Sequence, residues 1–400
     1  MRKQTLLVCA LIASAQMTWG VVVPVLPLHL DRFGVAATLL GTIVTAFGVG
    51  RVLANLPAGL ALRWLPARTY LRVVLVALAA VTALTGLAHT AGALIGLRLV
   101  AGVLGGAAVT IGFAVLVAGA PAERRGAVMA TATVVQMSGA AAGSVLGGAV
   151  VGLVGTSGTF VVAALPVLAC LVWDLISPAE HYWAAPAPPS SPGAPKLTLR
   201  GFGHVPLLVA LCGVSFATFF ARFAGEQGLV PVMAYDTGGL TPFTLGLATA
   251  AGTVAGLATM PLIGRWIDRG ARARLLIPAG ITTAVALVAL PLLHTPFGYA
   301  AAIVAYSVGT GVVGVLPGVI TGDAYPAQAA GAIVGLTRTA GDLGAAAGPV
   351  TVFAVASGAG NLVACAVLGG LVVLAVAGLL ATVPAPARTE KQLTTEGATR

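Results

Sequence analysis

The chain has 400 residues, 58% of them hydrophobic and 8% charged, with a formal net charge of +10 at pH 7. An average soluble domain carries about 25% charged residues, so there is too little charge here to cover a water-soluble surface of this size. Four cysteines, Cys9, Cys170, Cys212 and Cys365, all lie inside apolar runs, and His29, His89, His181, His204 and His294 are scattered, so no metal-ligand spacing exists.

Residues 1–20 have the outline of a secretory leader, with Arg2 and Lys3 ahead of an apolar run. The run continues through Leu30 and similar runs follow, so it reads as a retained first span. A bilayer core takes roughly 20 apolar residues per helix. Breaking the chain at charges, prolines and turn residues predicts six spans in the first half, at about 6–30, 38–62, 71–88, 91–118, 127–154 and 157–176. Six more follow at about 205–234, 242–266, 274–294, 297–321, 328–356 and 360–383. Links as short as 89–90 and 295–296 require tight hairpins. Residues 177–203, rich in Pro, Ser and Ala, read as an extended linker. The predicted order is a six-span bundle over 1–176, the linker 177–203, a second bundle over 204–383 and a polar tail over 384–400.

The halves repeat one another at an offset of 205. Gly20 falls on Gly225, Asp31 on Asp236, Gly34 on Gly239, Gly41 on Gly246, Gly59 on Gly264, Pro121 on Pro326 and Gly126 on Gly331. Gly139 and Gly143 fall on Gly344 and Gly348. A duplicated apolar unit predicts an all-α membrane protein with two six-helix bundles related by pseudo-two-fold symmetry. Such parallel repeats are an architecture of secondary transporters, with the substrate site between the halves near the bilayer midplane.

Orientation follows from Lys and Arg. The side that holds both termini carries Arg2, Lys3, Arg63, Arg68, Arg72, Arg124, Arg125, Lys196, Arg200, Arg265, Arg269, Arg272, Arg274, Arg388, Lys391 and Arg400. The opposite side carries only Arg32. Both termini are therefore expected in the cytoplasm, at the cell membrane. The positive charge then faces anionic headgroups and needs no nucleic acid.

Charges inside apolar spans are expensive and mark function or structural pairing. The candidates are Arg51, Arg98, Asp174, Arg222, Glu226, Arg338 and Asp342. Arg222 and Glu226, and likewise Arg338 and Asp342, are spaced i, i+4 and so share a helix face. Each pair reads either as self-neutralising or as a proton site. Desolvation raises a carboxylate's pKa and a neighbouring Arg lowers it. A movement that changes the distance from Glu226 to Arg222 or Arg98 would therefore load and release a proton. Glu226 is the first choice of carrier and Asp342 the second, because Asp342 could instead lock one access state. Gly225 and Gly228 flank Glu226 and Gln227 and are expected to loosen that helix. Gln16, Thr18, Trp19, Tyr306 and Ser307 are the remaining polar or aromatic candidates for a cavity.

The segment Gly264 to Arg272, with Asp268 and Arg269 inside it, resembles the G-x-L-A-D-R-x-G-R-R loop signature of the major facilitator superfamily. Its repeat twin runs from Gly59 through Arg63 to Arg68, with Arg63 where the family has Asp. Arg98 to Gly102 is similar to that family's R-x-x-Q-G motif, with Ala101 for Gln. Gly139, Gly143, Ser144, Gly147 and Gly148 resemble the G-x-x-x-G-P-x-x-G-G motif of its drug:proton antiporters, with Ser144 for Pro. Gly344, Gly348 and Pro349 keep that Pro. Small residues at this spacing also let helices approach closely.

The resemblance implies twelve helices, with spans 1, 4, 7 and 10 lining a central cavity and spans 2, 5, 8 and 11 forming the interface between halves. Arg98, Arg222 and Glu226 would then face the cavity, and Arg51, Gln136, Arg338 and Asp342 the interface. No Walker-type Gly-x-x-x-x-Gly-Lys-Ser/Thr loop and no Gly-x-Ser-x-Gly elbow is present. Neither ATP-driven pumping nor enzymatic catalysis is expected, and no cofactor. The reading is a proton-coupled exporter of small organic molecules, drug-like or secondary metabolites, working as a monomer by alternating access. Its expected partners are substrate, protons and lipid. The alternatives are a sugar or metabolite permease or facilitator, disfavoured because Asn55 and Asn361 are the only asparagines, and a non-transporting membrane sensor.

Overall fold

The computed structural model describes residues 2–31, 38–62, 64–120, 125–176, 204–268, 272–325 and 327–382. Among them the chain is helical with no strand. Arg63, Arg269 and the linker 177–203 lie outside the described residues, as do the tail and the turns at Arg32 and Arg124.

Span 1 is Arg2–Gly20 continued by Val22–Asp31. Spans 2, 3 and 4 are Thr38–Ala61, Ala67–Thr85 and Ala91–Gly119. Spans 5 and 6 form one helical run, Arg125–Ile176, interrupted at Gly155, where φ is +70°. Span 7 is Val205–Ala221, a π-helical segment Arg222–Leu229, and Val230–Asp236. Spans 8 and 9 are Pro242–Asp268 and Arg272–Ala289, the latter ending in a 3₁₀ turn. Spans 10, 11 and 12 are Pro296–Ala324, Ala327–Ala359 and Asn361–Thr382.

Eleven of these helices are long and apolar enough to cross a membrane. One of them, Ala130–Ile176, has 47 residues, about 70 Å at 1.5 Å per residue. That is twice a hydrocarbon core of about 30 Å, so it makes two of the twelve crossings. Its mate in the second half shows why. Gly360, 205 residues after Gly155, also has positive φ, at +86°. Only glycine takes this conformation without strain, and it turns the chain back in both halves.

The caps repeat too. The Thr90 side chain accepts from the Ala93 amide at 3.2 Å and opens span 4. Thr295, 205 residues later, accepts from the Gly298 amide at 3.3 Å and opens span 10. These caps close the short hairpins that the sequence predicts.

The packing follows the repeat. Span 1 lies on span 5 as span 7 lies on span 11, and span 2 lies on span 4 as span 8 lies on span 10. Glycine makes the approach possible, since apolar lipid supplies no hydrophobic force between helices and close van der Waals contact must hold them. A β-carbon on Gly139 or Gly143 would sit 2.5 Å from the Ala13 carbonyl oxygen or 2.3 Å from that of Met17, both in span 1. On Gly344 it would sit 2.3 Å from the Phe216 oxygen of span 7. Gly147 packs on Val21, and Gly348 on Phe220.

Candidate functional site

The two most extensive contacts between the halves are exchanged by the pseudo-two-fold: span 2 on span 11, and span 5 on span 8. Both are made at the end away from the termini, here called the far side. A β-carbon on Gly48 would lie 2.7 Å from the Ala345 oxygen, on Gly41 2.9 Å from the Pro349 oxygen, and on Gly246 2.4 Å from the Ser144 oxygen. Gly148 meets Pro242 and Phe243 in the same way. Hydrogen bonds reinforce the seal. The Ser144 and Thr249 hydroxyls are 2.8 Å apart, and the Tyr235 hydroxyl donates to the Pro24 carbonyl at 2.5 Å. Spans 5 and 11, which resemble the antiporter motif, thus use their small residues for close packing.

On the terminal side of this seal lies a cavity of about 270 Å³ between the halves. Gln16 and Trp19 come from span 1, Arg51 from span 2, and Gln136 from span 5. Span 7 supplies Ser215, Phe219, Arg222, Phe223 and Gln227, and span 11 supplies Thr337 and Arg338. Its ceiling is aromatic. The Trp19 ring stacks on Phe47 at 3.9 Å between centroids and on Phe223 at 5.3 Å. Trp19 is only 7% exposed, so it belongs to this cluster and not to a lipid-facing belt.

Arg222 and Glu226 form an ion pair at 3.4 Å, with side chains 29% and 18% exposed. They open the π segment, in which the Val230 amide bonds the Gly225 carbonyl five residues back. Gly225 and Gly228 lie within this segment, where a β-carbon on Gly228 would sit 3.0 Å from the Phe353 ring, and π turns of this kind recur at functional sites. Gln227 is buried and its Oε1 has no hydrogen-bond partner. Tyr306 is buried beside the same turn, its hydroxyl 4.0 Å from where a β-carbon on Gly225 would sit.

The second expected pair is not a pair. Asp342, fully buried, binds Arg51 of the other half at 3.1 Å and accepts a hydrogen bond from Asn55. Arg338, four residues earlier on the same helix, has its guanidinium 5.9 Å from the Phe113 ring centroid of span 4. The i, i+4 rule brings two side chains to one face, but Asp342 is held from across the interface and Arg338 points along the cavity.

Arg98 does not line the cavity. It is 2% exposed, and its guanidinium lies 3.5 Å from the Thr85 hydroxyl in the span 3–4 hairpin. Thr18 bonds back to the Ala15 carbonyl at 2.7 Å. Ser307 packs on Gly252 of span 8. In the loop signature, Gly59 and Gly264 meet nothing within 4 Å. Asp268 ends span 8 and Arg272 begins span 9. Arg68 has a defined partner: with Arg72 it clamps Asp174 at the end of span 6, at 3.5 and 2.5 Å.

The family model of the Major Facilitator Superfamily matches residues 8–349. The chain belongs to the Major Facilitator Superfamily. No curated protein matches it. Among solved structures it is similar to a bacterial homolog of the human lysosomal transporter Spinster in an inward-facing and occupied conformation. That likeness has 14% identity and a TM-score of 0.77, covering 96% of this chain and 99% of that one. It is also similar to the nucleoside transporter NupG, with 13% identity, a TM-score of 0.75, and 94% and 98% covered. A third is a POT family transporter in complex with a thioalcohol-conjugated peptide, with 13% identity, a TM-score of 0.76, and 95% and 96% covered. As a member of this superfamily the chain is a multi-pass secondary transporter of a small-molecule substrate, not an enzyme.

Proposed function

We propose that this transporter is a proton-coupled exporter of small organic molecules, and that Glu226 carries the coupled proton. The observation that supports this most is the Arg222–Glu226 ion pair on the π segment beside the central cavity. Arg222 lines the cavity, while Glu226 stands behind it, outside the lining and 18% exposed, on backbone that can change its winding. Parting the pair leaves a carboxylate that takes up a proton, and restoring it expels the proton. The terminal side is read as cytoplasmic, from the distribution of Lys and Arg. On that reading the seal is extracellular and the cavity faces inward. Residues 1–176 and 204–383 rock against each other, with 177–203 as the link and 384–400 as a tail. The aromatic ceiling suits an apolar body, in keeping with the drug:proton antiporter branch. The cargoes printed for its structural relatives differ, a nucleoside in one and a peptide in another, so the shared fold does not choose a cargo.

The test uses proteoliposomes with an imposed pH gradient and a panel of labelled organic compounds. Glu226→Gln should abolish pH-driven accumulation while preserving exchange without a gradient. Arg222→Ala should move the pH midpoint of transport upward. Accumulation by Glu226→Gln at the normal rate would remove the proton role from this residue.

A further inference from the structure

The charges around the cavity do not cancel. Three guanidinium groups line it, those of Arg51, Arg222 and Arg338. Two have carboxylate partners, Arg51 with Asp342 and Arg222 with Glu226. Among the described residues no carboxylate forms an ion pair with Arg338, whose guanidinium lies 5.9 Å from the Phe113 ring centroid and also feels the charges of Arg51 and Asp342. Asp342 sits four residues further along the same helix but is already held by Arg51 and Asn55. One positive charge is thus left over, in a chamber roofed by Trp19 and Phe223 and with the unpartnered Gln227 Oε1 in its wall.

We propose that the substrate is an organic monoanion, an amphipathic carboxylate whose charged end pairs with Arg338 and whose apolar body lies under Trp19 and Phe223. A guanidinium fork matches a carboxylate in two parallel hydrogen bonds. One unmatched guanidinium calls for one negative charge, so a dianionic phosphate ester would bring an excess. An amine would meet the positive field with nothing to offset it, and the same residues that attract the acid exclude the base. The Gln227 amide takes a hydrogen-bonding group on the body of the ligand. At about 270 Å³ the cavity falls near the small end of ligand pockets, roughly 300–1,000 Å³, so a bicyclic acid is a fitting size.

This rests on the proposed transport reading for the cavity but not on its proton coupling, and the test keeps the two apart. The probes are 1-naphthaleneacetate, its neutral amide, the corresponding naphthylethylamine, and naphthyl phosphate, each measured by equilibrium dialysis against the purified full-length chain. The acid should bind at least tenfold more tightly than the other three. Arg338→Gln should erase that preference, and Arg338→Lys, which retains the charge without the fork, should keep part of it. Equal binding of all four overturns the proposal. So does preference for the phosphate or the amine, absence of binding by the acid, or an acid preference that survives Arg338→Gln. The same probes are then followed in proteoliposomes. An Arg338-dependent acid preference without any pH-driven accumulation keeps the anion site and removes the coupling. Accumulation of the amine or the amide on a pH gradient keeps the coupling and removes the anion site.

Discussion

Asp342 is the place where a single atom change should move the whole molecule. Its carboxylate is fully buried on span 11 of the second half, and both partners, Arg51 and Asn55, belong to span 2 of the first. The clip sits at the lower edge of the far-side seal. Asp342→Asn preserves the shape, keeps an acceptor for Asn55 and strands the Arg51 guanidinium. Removing one partner of a buried pair costs about 3–5 kcal/mol. Arg51 is 11% exposed and touches the cavity, so some hydration survives and about 2–3 kcal/mol is the better figure. If the cost falls on the sealed state alone, the ratio of sealed to far-side-open molecules drops roughly 30- to 150-fold. Spin-label distances across the far side, between spans 2 and 11 and between spans 5 and 8, would read this directly. The short distances should give way to a longer population in Asp342→Asn. Adding Arg51→Gln should restore much of the short population, because no stranded cation is left. Adding Arg338→Gln should not. Unchanged distances in Asp342→Asn, or rescue by Arg338→Gln in place of Arg51→Gln, would refute the assignment of the lock.

Three further expectations follow from contacts elsewhere. Gly246→Ala puts a methyl 2.4 Å from the Ser144 oxygen in the seal, so the same distance measurement should show the far side pried open. Asp174→Asn releases Arg68 and Arg72 from span 6. With both arginines partly exposed, the loss should be about 1–3 kcal/mol, seen as a lower melting temperature in detergent with an unaltered pH profile of transport. Cysteines placed in 177–203 should resist a membrane-impermeant maleimide applied to intact cells, and ready labelling there would invert the orientation.

The fold was legible because duplication wrote it twice. Gly155 and Gly360 turn the chain at matching points, and Thr90 and Thr295 cap matching helices. Glu226 and Arg222 were legible because both partners lie on one helix. The partner of Asp342 was not, because local spacing offers Arg338, and the better partner is 291 residues away in sequence at Arg51. Phe47 and Asn55 went unread for the same reason, since nothing local marks a residue that meets the other half. The repeat itself holds a signal for them. Arg51 and Asn55 have Gly256 and Met260 as their mates, Arg222 and Glu226 have Met17 and Val21, and Arg338 and Asp342 have Thr133 and Met137. At these six positions one copy is charged or an amide and the other is not, whereas the matched glycines of both copies belong to the scaffold.

That division follows from what each part must do. A seal that opens and closes cannot rest on strong contacts over its whole area, and close glycine packing in lipid gives modest, shape-dependent attraction. Among the described residues the directional contacts between halves are few: Asp342 with Arg51 and Asn55, Ser144 with Thr249, Tyr235 with Pro24, and the Val350 amide with the Thr45 hydroxyl. Arg51 is the one among these that also lines the cavity, with its guanidinium 5.6 Å from the centroid of Phe223, the neighbour of Arg222 in sequence. A ligand that displaces Phe223 or draws Arg51 toward itself weakens the hold on Asp342 in the same motion. By linkage, any ligand that binds better with the clip open shifts the population by the ratio of its two affinities and no further. The bridge from an occupied cavity to an opening seal is therefore short, running from Phe223 to Arg51 to Asp342. A substitution at Phe223 should change how strongly substrate shifts the spin-label distances while leaving the distances of the empty protein nearly as they are. Loss of that substrate response in Phe223→Leu, with the Arg51–Asp342 lock intact, is the expected result. A full response in Phe223→Leu would break the chain at its first link.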